Sequence, residues 1–192
     1  MDPHYATGKF YDALVKVSNW RNRDITEVAQ KVQISGHPEA YRDHETDARV
    51  LASTLAGQPP AGFTCLDRTG ADGDAKGLAS ALTKTFGSAA KPSRDGKVLT
   101  ITAESKDDAW AYGSFAVANS AQYGTVQVVV GNQQWNTNAT KLPDWGNAED
   151  PLAATPRQID HTIGPDPCKQ QILLQVQAQA MQRLHRELPF GE

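Results

Sequence analysis

The chain has 192 residues, of which 39% are hydrophobic and 21% are charged, and its formal net charge at pH 7 is -3. This length can fill one good core or two small ones, and we expect two domains. The slightly acidic balance disfavours nucleic acid binding, because proteins that bind nucleic acids usually carry a basic face. The sequence predicts no membrane span and has no signal-peptide pattern at its first residues.

Apolar residues at helical spacing predict three helices in a first domain, residues 1–57. Pro3 is suited to a first turn, so we expect the first helix to run from Pro3 to about Val17. Asp24 resembles an N-cap and precedes a second helix predicted over residues 25–34. The third helix is predicted to begin at Pro38 and to end at Gly57.

A stretch rich in glycine, proline and aspartate, residues 58–74, predicts a linker to a second domain over residues 75–192. In that domain the spacing of apolar residues changes between helical and extended patterns, which indicates a small α+β sandwich. The predicted helices cover residues 75–86 and 107–122, and the predicted strands cover residues 98–103, 125–130 and 133–136.

The end of the sequence predicts a loop followed by a helix. Residues 138–167 contain five prolines and few apolar residues, which is typical of a long surface loop. From Cys168 to Leu188, apolar residues recur at intervals of three and four, which predicts an amphipathic helix. This helix would pack on its own domain or contact a protein partner or second copy of the chain, and both remain open. Its apolar stripe consists of Leu173, Val176, Ala180, Leu184 and Leu188.

Three segments of the first domain carry a family resemblance: DPHYATGKFYDAL at residues 2–14, ITEVAQKVQIS at residues 25–35 and PEAY at residues 38–41. Together they resemble the C-terminal half of a lysozyme-like domain of secreted actinobacterial proteins, some of which are named heavy metal transporters. Residues 107–119 and 126–135 resemble the downstream domain of the same proteins. The resemblance implies a partial lysozyme-like helical unit, followed by a small α+β domain, in a secreted or cell-envelope protein.

In this family the catalytic-type glutamate precedes the helix that begins with DPHY, in a half that the present sequence does not contain. Glycoside hydrolysis requires a carboxylic acid with a raised pKa in a cleft, so we expect no peptidoglycan hydrolysis by this chain. Glu27 and Glu39 fit structural roles at helix starts. The resemblance places the floor of a glycan cleft in the first domain, although packing in a core is a competing role for its residues. The candidates for glycan binding are Tyr5, Tyr11, Gln30 and Tyr41.

The two cysteines, Cys65 and Cys168, do not form a CxxC pair, and from the residues alone they fit one disulfide or two buried thiols. The extracellular location that the resemblance implies predicts a disulfide between them. A nucleophilic Cys65, with a histidine as base, is disfavoured because nothing near it in sequence indicates an electropositive pocket.

No cofactor or metal is expected. His37 and His44 do not have the spacing of a helical zinc motif, even with Glu45 nearby. Trp135 and Trp145 flank a predicted loop and fit a structural role better than a binding role. The leading functional hypothesis, implied by the resemblance, is a cell-envelope protein related to peptidoglycan hydrolases that lacks the catalytic acid and retains at most weak binding of peptidoglycan or another wall glycan. The alternative is an interaction module that uses the α+β domain and the C-terminal helix.

Overall fold

The structure is a computed structural model that describes residues 2–148 and, as backbone, residues 170–176. It divides into two compact units, Met1–Ala52 and Ser53–Glu192. The mixture of helices with an antiparallel sheet confirms the predicted α+β class. The helices are α1 Pro3–Leu14, α2 Ile25–Gln33, α3 Ala40–Asp43, α4 Glu45–Leu55, α5 Ala75–Phe86, α6 Lys106–Ala118 and α7 Ser120–Tyr123. The strands are β1 Ser93–Asp95, β2 Val98–Ala103, β3 Thr125–Val130, β4 Gln133–Asn136, β5 Gly146–Asn147 and β6 Gln170–Val176.

The first helix begins and ends close to the predicted residues. The side chain of Asp2 accepts a hydrogen bond from the backbone N–H of His4, and Pro3 occupies the first turn. The helix ends at Leu14, three residues before the predicted end. A short 3-10 helix, Trp20–Asn22, follows in the segment predicted as a turn.

The second helix confirms the predicted N-cap, because Asp24 accepts hydrogen bonds from the backbone N–H groups of Thr26 and Glu27. It ends where Ile34 adopts the left-handed conformation, with φ at 52°.

The predicted single helix from Pro38 to Gly57 is wrong in one respect. It is divided into α3 and α4 at His44, which has a φ of -104° and a ψ of 0°.

The second unit contains one antiparallel sheet, with the described strands in the order β1-β2-β6-β3-β4-β5. The predicted strands β2, β3 and β4 are confirmed, and β3 and β4 form a hairpin across the turn at Gly131 and Asn132. The sequence analysis missed β1 and β5, because both are short, polar and exposed at opposite edges of the sheet. Strands of this kind lack the alternating apolar pattern that prediction requires.

The core of the second unit lies between α5, α6 and one side of the sheet. Alternate residues of β2, such as Leu99 and Ile101, are fully buried, as are Leu78 and Leu82 on α5. The α6 helix is buried on most of its surface, which is typical of a helix at the centre of a core. The predicted helix 107–122 is interrupted at Asn119, whose side-chain amide donates to the Phe115 carbonyl and ends α6.

Residues 58–74, predicted as a linker, lie in the second unit and pack onto its core. Phe63 and Cys65 are partly buried against the core cluster. The hydroxyl of Thr64 donates to the backbone carbonyl of Pro143 and accepts a hydrogen bond of 3.0 Å from the indole N–H of Trp135. Trp135 is fully buried, which confirms its structural role. The segment therefore closes one side of the core.

The predicted C-terminal amphipathic helix is contradicted over residues 170–176, which form strand β6 between β2 and β3. Leu173 pairs in register with Thr100 and Val129, so it does not belong to a helical stripe. Without β6, the facing edges of β2 and β3 would lack hydrogen-bonding partners. Pairing with these two strands therefore decides the structure of the segment, although its local sequence pattern is compatible with a helix. Ala180 and Leu184, the next members of the predicted stripe, lie outside the described residues.

Candidate glycan-binding surface

Two of the four predicted glycan-binding residues, Tyr5 and Tyr11, lie on α1 and are strongly exposed, at 65% and 57% of their full surface. The ammonium group of Lys9 lies 5.6 Å from the centre of the Tyr5 ring. The ring of Tyr11 meets that of Phe10 edge to face, at 5.7 Å between centroids. Phe10 is half-buried, so it supports Tyr11 from one side and leaves the rest of that ring accessible.

The other two predicted residues are engaged in hydrogen bonds within the first unit. The Gln30 amide donates to the carbonyl of Ser35 at 2.8 Å and accepts from the Ser35 backbone N–H at 3.2 Å. This pair of bonds secures the chain where it leaves α2. The hydroxyl of Tyr41 donates to the side-chain oxygen of Gln33 at 2.6 Å. Gln30 therefore has a structural role, and Tyr41 would have to exchange a partner in order to bind a sugar.

The two exposed tyrosines point in different directions from α1. Tyr5 and Tyr11 are six positions apart on a helix, which separates their directions by about 120° around the axis. Among the described residues, no hydrogen bond or ring contact joins either tyrosine to Gln30 or Tyr41. The described contacts therefore do not join the four predicted residues into one site.

The glutamates that were considered as acids lie in ion pairs at the surface. Glu27 approaches Arg23 at 3.6 Å, and Glu39 approaches Arg42 at 3.8 Å with 87% of its side chain exposed. A general acid for glycoside hydrolysis needs burial or a neighbouring negative charge to hold its proton near neutral pH. Neither glutamate has that environment, since each faces a guanidinium group in water.

Asp24 is the carboxylate with the strongest local stabilisation in the first unit. It accepts hydrogen bonds from the hydroxyl and backbone N–H of Thr26 and from the backbone N–H of Glu27, and it pairs with Arg42 at 3.3 Å. The hydrogen bond from the Thr26 hydroxyl is the largest cause that holds the pKa of Asp24 well below its usual value, followed by the one from Glu27. Asp24 is consequently an ionised helix cap and is unsuited to donate a proton.

Among the candidate metal ligands, His37 precedes α3, His44 lies between α3 and α4, and Glu45 begins α4, where it pairs with Arg49 at 2.8 Å. Within residues 2–148, no group of three or more histidine, cysteine or acidic side chains is arranged to hold a metal ion. His37 and His44 are both exposed.

Cys65 is half-buried, and burial raises the pKa of its thiol, with the charge of Asp67 as a second cause. A raised pKa keeps a thiol protonated and therefore weakly nucleophilic. The predicted disulfide involves Cys168, which lies outside the described residues, so this pairing stays a prediction.

The indole N–H of Trp145 donates to the Phe63 carbonyl at 2.8 Å, and its ring meets Trp110 edge to face, which assigns it a structural role.

The sequence does not reveal how much apolar surface the beginning of the chain leaves exposed. Helical periodicity identified most of these side chains as core positions, whereas the structure leaves them in contact with water. The exposed large apolar residues of this segment are Tyr5, Tyr11, Val15, Ile25, Ile34, Val50, Leu51 and Leu55. The first unit, Met1–Ala52, contains all of them except Leu55, which ends α4.

No protein-family model, no curated protein and no solved structure matches this chain. No helix in the described part of the chain combines the length and the apolar character that crossing a membrane requires.

Proposed function

We propose that this chain is a non-catalytic cell-envelope protein, related to peptidoglycan hydrolases, that binds wall glycan weakly through exposed aromatic side chains of its first unit. The observation that carries the proposal is the exposure of Tyr5 and Tyr11 on α1. Tyrosine combines an apolar ring with a polar hydroxyl, and side chains of this kind are enriched at binding interfaces. The apolar faces of sugar rings stack on such side chains.

The absence of catalysis is proposed from the environments of the carboxylates. Glu27 and Glu39 face arginines at the surface, and Asp24 is ionised as a helix cap. None of the three is placed to protonate a glycosidic oxygen. The relation to lysozyme-like proteins and the envelope location are inferred from the sequence resemblance. The exposed tyrosines are the side chains through which we propose glycan binding.

The test is retention of the purified chain on insoluble peptidoglycan from which covalently attached polymers have been removed. We expect weak retention, reduced several-fold by Tyr5→Ala together with Tyr11→Ala. Leu142→Ala is the matched control, because Leu142 is an exposed apolar residue of the second unit. Equal retention of the double variant and the control would overturn glycan binding by α1.

The same peptidoglycan, as a turbid suspension, tests the proposed lack of catalysis. We expect no clearing by the intact chain. Clearing that is lost in Glu27→Gln or Glu39→Gln would identify an active acid and overturn this part of the proposal.

A second candidate function is protein–protein interaction, and the exposed apolar side chains of the first unit favour it. Ile34, at 83% exposure, and Val15 and Val50 are aliphatic and so cannot stack on a sugar as aromatics do. The strand β6 removes Leu173 and Val176 from the helical surface first considered for this role. Sedimentation velocity separates the functions: a dimer that dissociates in Ile34→Asp but persists in Leu142→Asp favours this second function.

A further inference from the structure

The second unit has a strongly basic edge in a chain that is acidic as a whole. We define the basic edge as residues 83–97, which include the last turn of α5, the connection to β1, β1 itself and the turn that leads to β2. It contains four cations and a single acidic residue, Asp95. Its net charge is therefore +3, whereas the whole chain has a net charge of -3. The cations are Lys84, Lys91, Arg94 and Lys97.

All four cations are exposed, and their placement follows from the fold. Lys84 lies in the last turn of α5, which contacts both strands of the hairpin. Arg94 lies on β1, and Lys97 lies in the turn that joins β1 to β2. Within the described residues none of the four forms an ion pair, since every ion pair there belongs to the first unit. Within residues 83–97, their charge is offset only by that of Asp95.

The local geometry orients one of these cations. The Arg94 guanidinium donates to the carbonyl of Gly96 at 2.9 Å, which holds it against the hairpin turn next to Lys97. An arginine has several further N–H groups, so this single bond leaves most of its donors available. Hydroxyl side chains are exposed on the same edge, and they add neutral donors for anionic oxygens. They are Thr85, Ser88 and Ser93, whereas the hydroxyl of Thr83 donates to the Ala79 carbonyl at 3.1 Å.

The chemistry of the basic edge selects one class of partner. Residues 83–97 include no exposed large apolar side chain, so the edge has nothing to insert into a lipid bilayer. Phe86 is half-buried and packs edge to face on Tyr112 at 4.8 Å, so no aromatic platform is available for stacking of nucleic acid bases. Cations with hydroxyls alone suit a flexible chain of phosphates without bases.

We propose that the basic edge binds the polyol-phosphate chain of an anionic cell-wall polymer. The choice of a wall polymer rests on the proposed envelope function, whereas the requirement for a flexible phosphate chain rests on the residues of the edge. The basic edge belongs to the second unit, whereas Tyr5 and Tyr11 belong to the first. Binding arises from the release of counterions when lysine and arginine neutralise phosphates.

The test uses the full chain and synthetic poly(glycerol phosphate), with affinity measured by fluorescence anisotropy at several salt concentrations. Four cations that contact a single-stranded polyanion predict a slope of about -2.8 in log affinity against log salt. The affinity should then fall about 50-fold between 50 and 200 mM salt. In Lys91→Gln with Lys97→Gln, the slope should halve and the same change in salt should weaken binding about sevenfold.

The matched control is Lys16→Gln with Lys31→Gln, which changes the net charge equally but alters two exposed lysines of the first unit. An unchanged slope in this control supports the basic edge. An equal loss in both double variants would overturn it in favour of a general charge effect. Equal or tighter binding of duplex DNA or of anionic lipid vesicles would also overturn the proposed partner.

Failure of this inference is distinguishable from failure of the proposed function. Retention on peptidoglycan stripped of attached polymers depends on Tyr5 and Tyr11 and should not change in Lys91→Gln with Lys97→Gln. Binding of poly(glycerol phosphate) without retention on stripped peptidoglycan would support the basic edge and reject the glycan site. The reverse result would reject only the basic edge. Circular dichroism of each variant checks that the fold is retained.

Discussion

The two units of this chain use apolar side chains in opposite ways. In the first unit, Val28 is the apolar side chain that becomes fully enclosed among the described residues, while Ile34 and Val15 lie in water. In the second unit, Ile101 and Trp135 have no exposed surface. Both units show apolar residues at regular spacing. The periodic spacing of apolar residues therefore predicts which side of a helix or strand would be buried. Whether that side is buried depends on the presence of another element that covers it.

This difference has an energetic consequence. Apolar burial contributes about 25 cal/mol per Å², so each 100 Å² that a partner covered would stabilise the first unit by about 2.5 kcal/mol. Because the first unit leaves these apolar side chains exposed, we expect its free energy of unfolding to be lower than that of the second unit. Substitutions should therefore have unequal effects in the two units.

The largest effect is expected for Trp135→Ala in the second unit. The substitution leaves a large cavity and removes the hydrogen bond to Thr64, so the free energy of unfolding should fall by about 3–5 kcal/mol. Urea denaturation followed by circular dichroism measures this loss. Val15→Ala, at an exposed position of the first unit, should change the free energy by less than about 0.5 kcal/mol. Similar losses for both would show that burial does not distinguish the units.

Two glycines provide the next contrast. Gly57 has a φ of +78°, and a Cβ there would lie 2.6 Å from the backbone nitrogen of Ala111 and still closer to the Asp107 carbonyl. Gly57→Ala should destabilise the second unit by at least about 2 kcal/mol, from strain and overlap together. Gly8 lies in α1 with open space around it. Gly8→Ala should stabilise the first unit by about 0.5–1 kcal/mol.

Thermal melting of both glycine variants and of the unaltered chain shows whether each substitution raises or lowers the melting temperature. A stabilising Gly57→Ala would mean that the close approach to α6 is absent in solution. A destabilising Gly8→Ala would indicate that another surface packs against α1 at this position.

Local signals in the sequence predicted much of the fold. The predicted cap Asp24 marks the start of α2, because its side-chain oxygen satisfies backbone N–H groups that the helix leaves unpaired. The hairpin of β3 with β4 followed from an apolar run that ends at the turn residues Gly131 and Asn132. These features depend on a few neighbouring residues, which is why a sequence reveals them.

The errors concern features that distant residues decide. The segment that contains Ile172 and Leu173 has a pattern compatible with a helix, yet it becomes a strand because β2 and β3 provide edges for it. Residues 58–74 have the composition of a linker, but Thr64 is held by Trp135 and Pro143. In the candidate site, exposure of Tyr5 could not be read from sequence, because the same spacing describes a core position.

Val28→Ala tests whether the first unit unfolds separately. Val28 is buried on α2, and the loss of two buried carbon groups should destabilise the first unit by about 2 kcal/mol. Amide hydrogen exchange should accelerate in α1 and α2 and remain unchanged in β3. Ile25→Ala, at an exposed position of the same helix, is the matched control and should have little effect. Equal acceleration in β3 would show that the two units unfold together.

The smallest effect concerns the response of α2 to acid. Hydrogen bonds from Thr26 and Glu27, with the Arg42 guanidinium, hold the pKa of Asp24 well below its usual value of 3.8. A carboxylate whose pKa is lowered by folding adds stability above the unfolded value, and this stability is lost as the pH falls through the folded value. The first unit should therefore begin to lose stability only below about pH 4. Because Asp24 is exposed, we expect this loss to be modest.

Nuclear magnetic resonance can follow the backbone amides of Thr26 and Glu27 during an acid titration. Their shifts should keep the signature of capping until well below pH 3.8, since both amides donate to the ionised carboxylate. In Asp24→Asn the cap should persist without this titration, because asparagine is also a good N-cap but carries no charge. Asp12→Asn, which removes an exposed partner of Lys9, should leave the titration unaltered. A midpoint near 3.8 in the unaltered chain would mean that Asp24 is not held by these donors, so that α2 begins without a fixed cap and the first unit is looser than its backbone indicates.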